Sequence, residues 1–235
     1  MLKNPASKAF LIAILVSVVL PFIPVLKWAL YPFDILNTHL HEMFHALATV
    51  ATGGQVDSIH VFKSTEGVTQ SRGGMPTVIL MSGYLGSSLF GAFMIVACRS
   101  ERADRIWLCV LSGLVFFSNI FWVRGDIVGW PIGILWPALI VFASMRLKGQ
   151  TLMLAAQFLA VQQCLNSIKS LRDLVILSGS PNTTDAQMLA DVTHIPAMVW
   201  AILWMIFGVF GIGAAVLKLN KEPKSPSSPV ATIEP

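Results

Sequence analysis

Long apolar runs alternate with short polar connections along almost the whole chain. The runs fall at 9–30, 33–52, 75–97, 106–124, 127–147, 151–178 and 195–217. Each is close to the roughly 20 helical residues needed to cross a hydrocarbon core of about 30 Å. The pattern predicts an all-α polytopic membrane protein with about seven transmembrane helices, an integral multi-pass chain in contact with a lipid bilayer. Pro21 and Pro24 are placed to kink the first span, and Tyr31-Pro32 reads as the turn into the second. Lys3 and Lys8 precede an apolar run that starts at Ala9, as in a signal peptide. No small-residue cleavage site precedes Pro21, so this run is expected to remain as the first helix.

One connection differs in kind. Gly53-Gly54 and Gly73-Gly74 bracket a polar segment rich in β-forming residues, and residues 55–72 read as a β-hairpin with Glu66-Gly67 near its middle. An open strand edge in hydrocarbon leaves backbone groups unpaired, so the hairpin is expected at the surface or in a water-filled cavity made by the protein. No soluble domain fits between the runs. Residues 1–217 therefore form one transmembrane unit, and the proline-rich polar tail 218–235 is expected to be disordered.

Composition agrees with the membrane reading: 55% of residues are hydrophobic, 12% are charged and the mean hydropathy is +0.72. A soluble domain carries about twice that charged fraction. The net charge of +4 does not signal nucleic acid, because Lys and Arg gather at the ends of apolar runs, where they anchor helices at the membrane surface. Cys98, Cys109 and Cys164 lie in or beside apolar segments at no metal-ligand spacing, and read as small buried hydrophobes.

The second run contains His41-Glu42-Met43-Phe44-His45, an HExxH motif. On a helix His41 and His45 lie one turn apart on one face and can both point a nitrogen at one zinc ion, while Glu42 can reach the attacking water as general base. Three ionisable side chains in five residues of an apolar helix are costly in a bilayer and mark function. His39 points to another side of the helix and is expected to support or pack rather than ligate; His60 and His194 read as surface histidines. A catalytic zinc site needs a third protein ligand, and Asp126, Asp173 and Asp185 are the candidates. Asp34 is about two helical turns from His41, too far along one axis. Asp173 shares a polar stripe with Asn166 and Ser170, and an ion pair with Lys169 is its structural alternative. Asp185 opens a short helical stretch, where a capping or dipole role is the alternative. Gly83, Ser87 and Gly91 form a small-residue ladder in the third run that allows close approach of another helix, the HExxH helix being the one considered.

The blocks HEMFHALATVATGG, EGVTQSRGG, SGYLGSSLFG, LNSIKSLRDL and TTDAQMLAD together resemble the site-2 protease-like membrane metallopeptidases, in the branch shared by plants and bacteria. They span about residues 41–205. The resemblance implies a zinc site inside the membrane with His41 and His45 as ligands and Glu42 as general base. It also implies a re-entrant hairpin after the HExxH helix, matching residues 55–72. The NSxxxxxD block ending at Asp173 and the Thr184-Asp185-Ala186 block both match the family, so the resemblance leaves the third ligand open; membrane depth favours Asp173, with Asp185 as the alternative. The usual HELGH is changed at Met43-Phe44, and the bulk of Phe44 is expected to hold the neighbouring helix away.

These readings converge on an intramembrane zinc metalloprotease, a zinc metalloendopeptidase that hydrolyses peptide bonds of membrane protein substrates. The alternative is a non-catalytic membrane protein that keeps a metal site or a scaffold for partner binding. The intact Glu42 counts against it, since metal binding alone needs no base at that position.

Overall fold

A computed structural model of the chain describes residues 5–23, 26–124, 127–178 and 184–219. Helix α1 (Pro5–Val19) runs into a 3-10 turn at Leu20–Phe22, where Pro21 interrupts it, and a second 3-10 segment, Leu26–Leu30, leads into α2 (Tyr31–Ala51). Pro32 sits in the first turn of α2, where a missing backbone N–H costs nothing. The hairpin β1 (Gln55–Val61) and β2 (Gly67–Arg72) follows, then α3 (Pro76–Ala97), α4 (Glu101–Phe121), α5 (Gly129–Arg146), α6 (Gly149–Leu177), the short α7 (Asp185–Thr193) and α8 (Ala197–Leu219). Pro24 and Asp126 lie outside the described residues, as does the expected tail apart from Lys218 and Leu219, which complete α8.

Among the described residues seven long helices lie on the seven apolar runs, and five of them, α1, α3, α4, α5 and α8, are long and apolar enough to cross a membrane, α1 together with the turn that follows it. The other two, α2 and α6, are long enough and too polar. Their polar residues are turned inward: Asn37, His39, Glu42 and His45 on α2, and Gln157, Gln162, Gln163 and Ser167 on α6, are buried. Part of this polarity is spent between the two helices. Asn37 Oδ1 accepts from Gln163 Nε2 at 2.7 Å and from Ser167 Oγ at 3.3 Å, and Asn37 Nδ2 donates to Ser170 Oγ at 3.4 Å. Hydropathy falls on these two helices because they carry the interior network.

Helix α3 packs against α2, α6 and α8, and its ladder of small residues serves two of them. Gly83 lies against the His41 and His45 rings, whereas Gly91 lies against Cys164 of α6. Phe44 does not hold α3 away as its bulk suggested. Its ring occupies the space left open at Gly86, where an added Cβ would fall 2.5 Å from Phe44 Cγ. Cys98 and Cys164 are buried, while Cys109 is exposed on the outer side of α4.

The hairpin is antiparallel, with Ile59 opposite Thr69 and Val61 opposite Gly67. It packs on α2 through Ile35, Ala46, Ile59 and Val61, joined by Val123 from the segment after α4. Its turn is tied down at Thr38, whose hydroxyl donates to the Thr65 carbonyl at 2.6 Å, and at Tyr31, whose hydroxyl donates to the Lys63 carbonyl at 2.8 Å. The outer edge of β1 is partly occupied as well. Ile59 N–H donates to the Trp122 carbonyl at 2.8 Å and Arg124 N–H donates to the Ile59 carbonyl at 3.1 Å, a short parallel bridge.

The fit of Phe44 into Gly86 predicts a coupled pair. Gly86→Ala should destabilise the protein by about 1–3 kcal/mol through overpacking, and should cost less when Phe44 is already Ala. Thermal unfolding of the four variants of this cycle in detergent measures the coupling; an equal cost in both backgrounds would mean that Phe44 does not define the gap.

Candidate metal centre

His41 and His45 stand one turn apart on α2, with ring centroids 4.6 Å apart and planes at 84°. The buried His45 donates from Nδ1 to the Ile79 carbonyl of α3 at 2.6 Å. That bond fixes the tautomer: in neutral His45 the proton is on Nδ1, and Nε2 presents a lone pair. The close approach that permits it depends on Gly83, where an added Cβ would meet His45 Nε2 at 2.4 Å.

The third group arrives from α7. Thr184 caps that helix by accepting from Gln187 N–H at 3.2 Å, so the Asp185 carboxylate at the first helical position is not used as the cap. Asp185 Oδ2 lies 3.2 Å from His41 Nε2 and 3.1 Å from His45 Nε2, and the two nitrogens are 3.0 Å from each other. Burial acts to raise the Asp185 carboxyl, but the facing His45 and His41 outweigh it and hold the group below the ordinary carboxylate range, as an anion. An anionic oxygen facing two imidazole nitrogens calls for a positive charge among the three groups, which protons or a bound cation can supply. The donor set therefore fits a cation: two imidazole nitrogens and one carboxylate oxygen, all converging within 4.8 Å.

Glu42 lies beside this group and is buried. The Thr69 hydroxyl of β2 donates to Glu42 Oε2 at 2.7 Å and lies 3.0 Å from the Glu42 backbone carbonyl. The β2 backbone passes so close at Gly67 that an added Cβ would fall 2.6 Å from Glu42 Oε1. The hairpin thus holds the carboxylate of α2 from a face adjoining the one that α3 covers. These groups open onto a cleft of about 830 Å³ between α2, β2 and α6, lined by His41, Glu42, Gly67, Asn166, Ser170 and Asp185 among others.

Asp173, the third ligand favoured by membrane depth, is not brought to the histidines. It lines the cleft on the same stripe as Asn166 and Ser170, as its spacing predicts, but its carboxylate accepts from Arg172 at 2.7 Å. Lys169, the partner considered for it, instead reaches Asp34 at 3.4 Å. The carboxylate that meets His41 and His45 is that of Asp185, the alternative. The physical reason is lateral: α6 forms the far wall of the cleft, whereas α7 packs on α3 and α8, on the side where the imidazoles project. His39 points away, with Nε2 2.8 Å from Ser118 Oγ of α4. His60 stays on the hairpin beside Ser58 Oγ at 3.1 Å, and His194 ends α7 in a left-handed conformation with φ of 60°.

Three functional contacts were not read from the sequence. Thr69 has a weak signal, since on a strand it shares a face with Gly67, two residues away. The Ile79 carbonyl has none, being backbone. Tyr84 carries a signal in its position beside Gly83, and its ring packs edge-on against His41 with centroids 4.5 Å apart.

A family model described as Peptidase M50B-like matches residues 9–215 of the chain. No curated protein and no solved structure matches it.

The geometry predicts which side chains hold a metal. His41→Ala, His45→Ala and Asp185→Ala should each remove most of the metal bound by the purified protein, because two remaining ligands hold an ion poorly against water and chelators. His39→Ala and Asp173→Ala should leave it in place. Elemental analysis of the five variants checks this, and metal loss from Asp173→Ala with retention in Asp185→Ala would reverse the assignment.

Proposed function

The chain belongs to the Peptidase M50B-like family, which is membrane-embedded, and on that basis we propose that it is an intramembrane zinc metalloprotease hydrolysing peptide bonds of membrane-embedded substrates. The single observation that carries the reading is the buried Glu42 carboxylate, held by Thr69 beside the three converging donors His41, His45 and Asp185. Metal storage or transport has no use for a base fixed at that point. Zinc suits two imidazole nitrogens and one carboxylate with a position left open, and when bound it supplies Lewis-acid polarisation of a carbonyl and a lowered pKa for water.

The residues of the chain divide the remaining work. Glu42 takes a proton from the attacking water and delivers it to the leaving amine. Thr69 keeps the carboxylate in one orientation, so that no reorganisation is needed when the proton moves. His45 is held in its ligating tautomer by the Ile79 carbonyl.

Substrate entry as an extended segment is supported by the hairpin's pairing. Phe62 N–H bonds to the Glu66 carbonyl, and Ile59 turns both its backbone groups outward to residues 122–124. By alternation, Thr69 and Gly67, opposite Ile59 and Val61, turn their backbone N–H and C=O away from β1. Among the described residues this β2 edge is unpaired, and it borders the cleft beside Glu42. A locally unwound substrate adds there as a strand, its backbone read by hydrogen bonds.

Glu42→Gln tests the enzyme reading. The amide keeps the size of the side chain and can still pair with Thr69, but it cannot accept the proton. Cleavage should fall by about 10²-fold or more with bound zinc and thermal stability unchanged. Processing at the wild-type rate by a zinc-loaded Glu42→Gln protein would replace the protease reading with that of a metal-keeping scaffold.

A further inference from the structure

Tyr84 is held by ring contacts with two neighbours. Its ring lies edge-on to His41, with centroids 4.5 Å apart and planes at 76°, and stacks on the fully buried Trp204 of α8 at 5.6 Å and 22°. Two neighbours thus fix the ring, and one of them, His41, belongs to the candidate metal centre. A phenylalanine would make both contacts. What distinguishes tyrosine here is the hydroxyl, and among the described residues that hydroxyl has no hydrogen-bond partner. Tyr84 is half-buried, and its hydroxyl is not among the buried polar atoms left without a partner, so it is accessible from the cleft. The side chain lines the same cleft as His41, Glu42 and Asp185, facing the negative charge of those two carboxylates and of Asp173.

We propose that Tyr84 is a catalytic residue whose hydroxyl donates a hydrogen bond to the substrate's scissile carbonyl oxygen as that oxygen becomes anionic. The inference rests on the protease reading. When the water oxygen bonds to the carbonyl carbon, the π pair moves onto the carbonyl oxygen and Glu42 takes the water's proton. On collapse the pair returns, the C–N bond breaks and the proton held by Glu42 goes to the amine nitrogen. Tyr84 keeps its own proton throughout: a neutral phenol is a donor at pH 7. Its bond to the oxygen is strongest when the charge is greatest. A donor fixed in advance acts on the transition state more than on the bound substrate.

The neighbouring carboxylates face other partners with one oxygen each, and none of them pairs with the Tyr84 hydroxyl. Glu42 Oε2 accepts from Thr69, and Asp185 Oδ2 faces His41 and His45. Asp173 accepts from Arg172. The unpaired hydroxyl and the open cleft it lines leave room for an incoming carbonyl as the group's partner.

The test uses full-length protein in detergent and the peptide that the wild type cleaves fastest from an internally quenched fluorescent library. It also uses a phosphinic analogue of that peptide, in which tetrahedral phosphorus replaces the scissile carbon. Tyr84→Phe keeps both ring contacts, so bound zinc and KM should stay at wild-type values. The expected change is a fall in kcat of about 10²-fold, with a matching loss of affinity for the phosphinic analogue. Tyr84→Leu, which removes the ring, should lower bound zinc as well. Unchanged kcat in Tyr84→Phe, or a fall in kcat that tracks zinc loss, overturns the proposal and leaves the protease reading intact. A zinc-loaded wild type that cleaves no peptide of the library, with Glu42→Gln indistinguishable from it, overturns both.

Discussion

Helix α2 carries Asn37, His39, Glu42 and His45 buried through the middle of an apolar bundle, and the positions of its neighbours follow from what these side chains require. A polar group taken from water without a partner costs several kcal/mol. Each of the four is met by a different element. Asn37 is met by Gln163 and Ser167 of α6, His39 by Ser118 of α4, Glu42 by Thr69 of β2 and His45 by the Ile79 carbonyl of α3. Between apolar helices in lipid there is little hydrophobic drive to choose one arrangement over another, so packing and directional polar contacts do the choosing. The residues that make α2 too polar to resemble a simple span thereby orient the bundle around it.

Much of this was legible in the chain. Apolar run length located the long helices, because crossing hydrocarbon leaves the backbone few options, but the first, expected over 9–30, ends as an α-helix at Val19, just before Pro21. The hairpin at 55–72 was marked by its glycine brackets and polar β-formers, and the HExxH spacing put two imidazoles on one face. Less legible was anything that depended on which side of a neighbour a residue faces. Asp173 and Asp185 both match the resemblance, and depth favoured the one whose carboxylate turns out to face Arg172. Sequence spacing gives depth along an axis but not the lateral placement of a separate short helix such as α7. Likewise Phe44 was read from its own size alone, whereas the space it needs is provided 42 residues later by Gly86. Hydropathy could not separate a polar face turned inward from a helix that does not span.

The close approach at Gly83 links these observations. It brings α3 near enough for its Ile79 carbonyl to fix one histidine and for Tyr84 to lie against the other. One backbone contact therefore sets the protonation pattern, the ring orientation and the cleft wall together, so a shift of α3 along α2 would disturb all three at once.

The bridge between Ile59 and Val123 has a further consequence. Any hairpin exposes two edges, and each is a template for uncontrolled pairing with another copy of the same chain. Here the segment after α4 blocks part of one edge, and the other borders a cleft whose far wall is α6. A neighbouring hairpin approaching that second edge would have to bring its own partner strand, another 4.7–4.9 Å of backbone, in behind the first. A single extended strand carries no such burden. The arrangement sorts by thickness: it admits one chain at a time and keeps whole sheets, including its own, from stacking into aggregates.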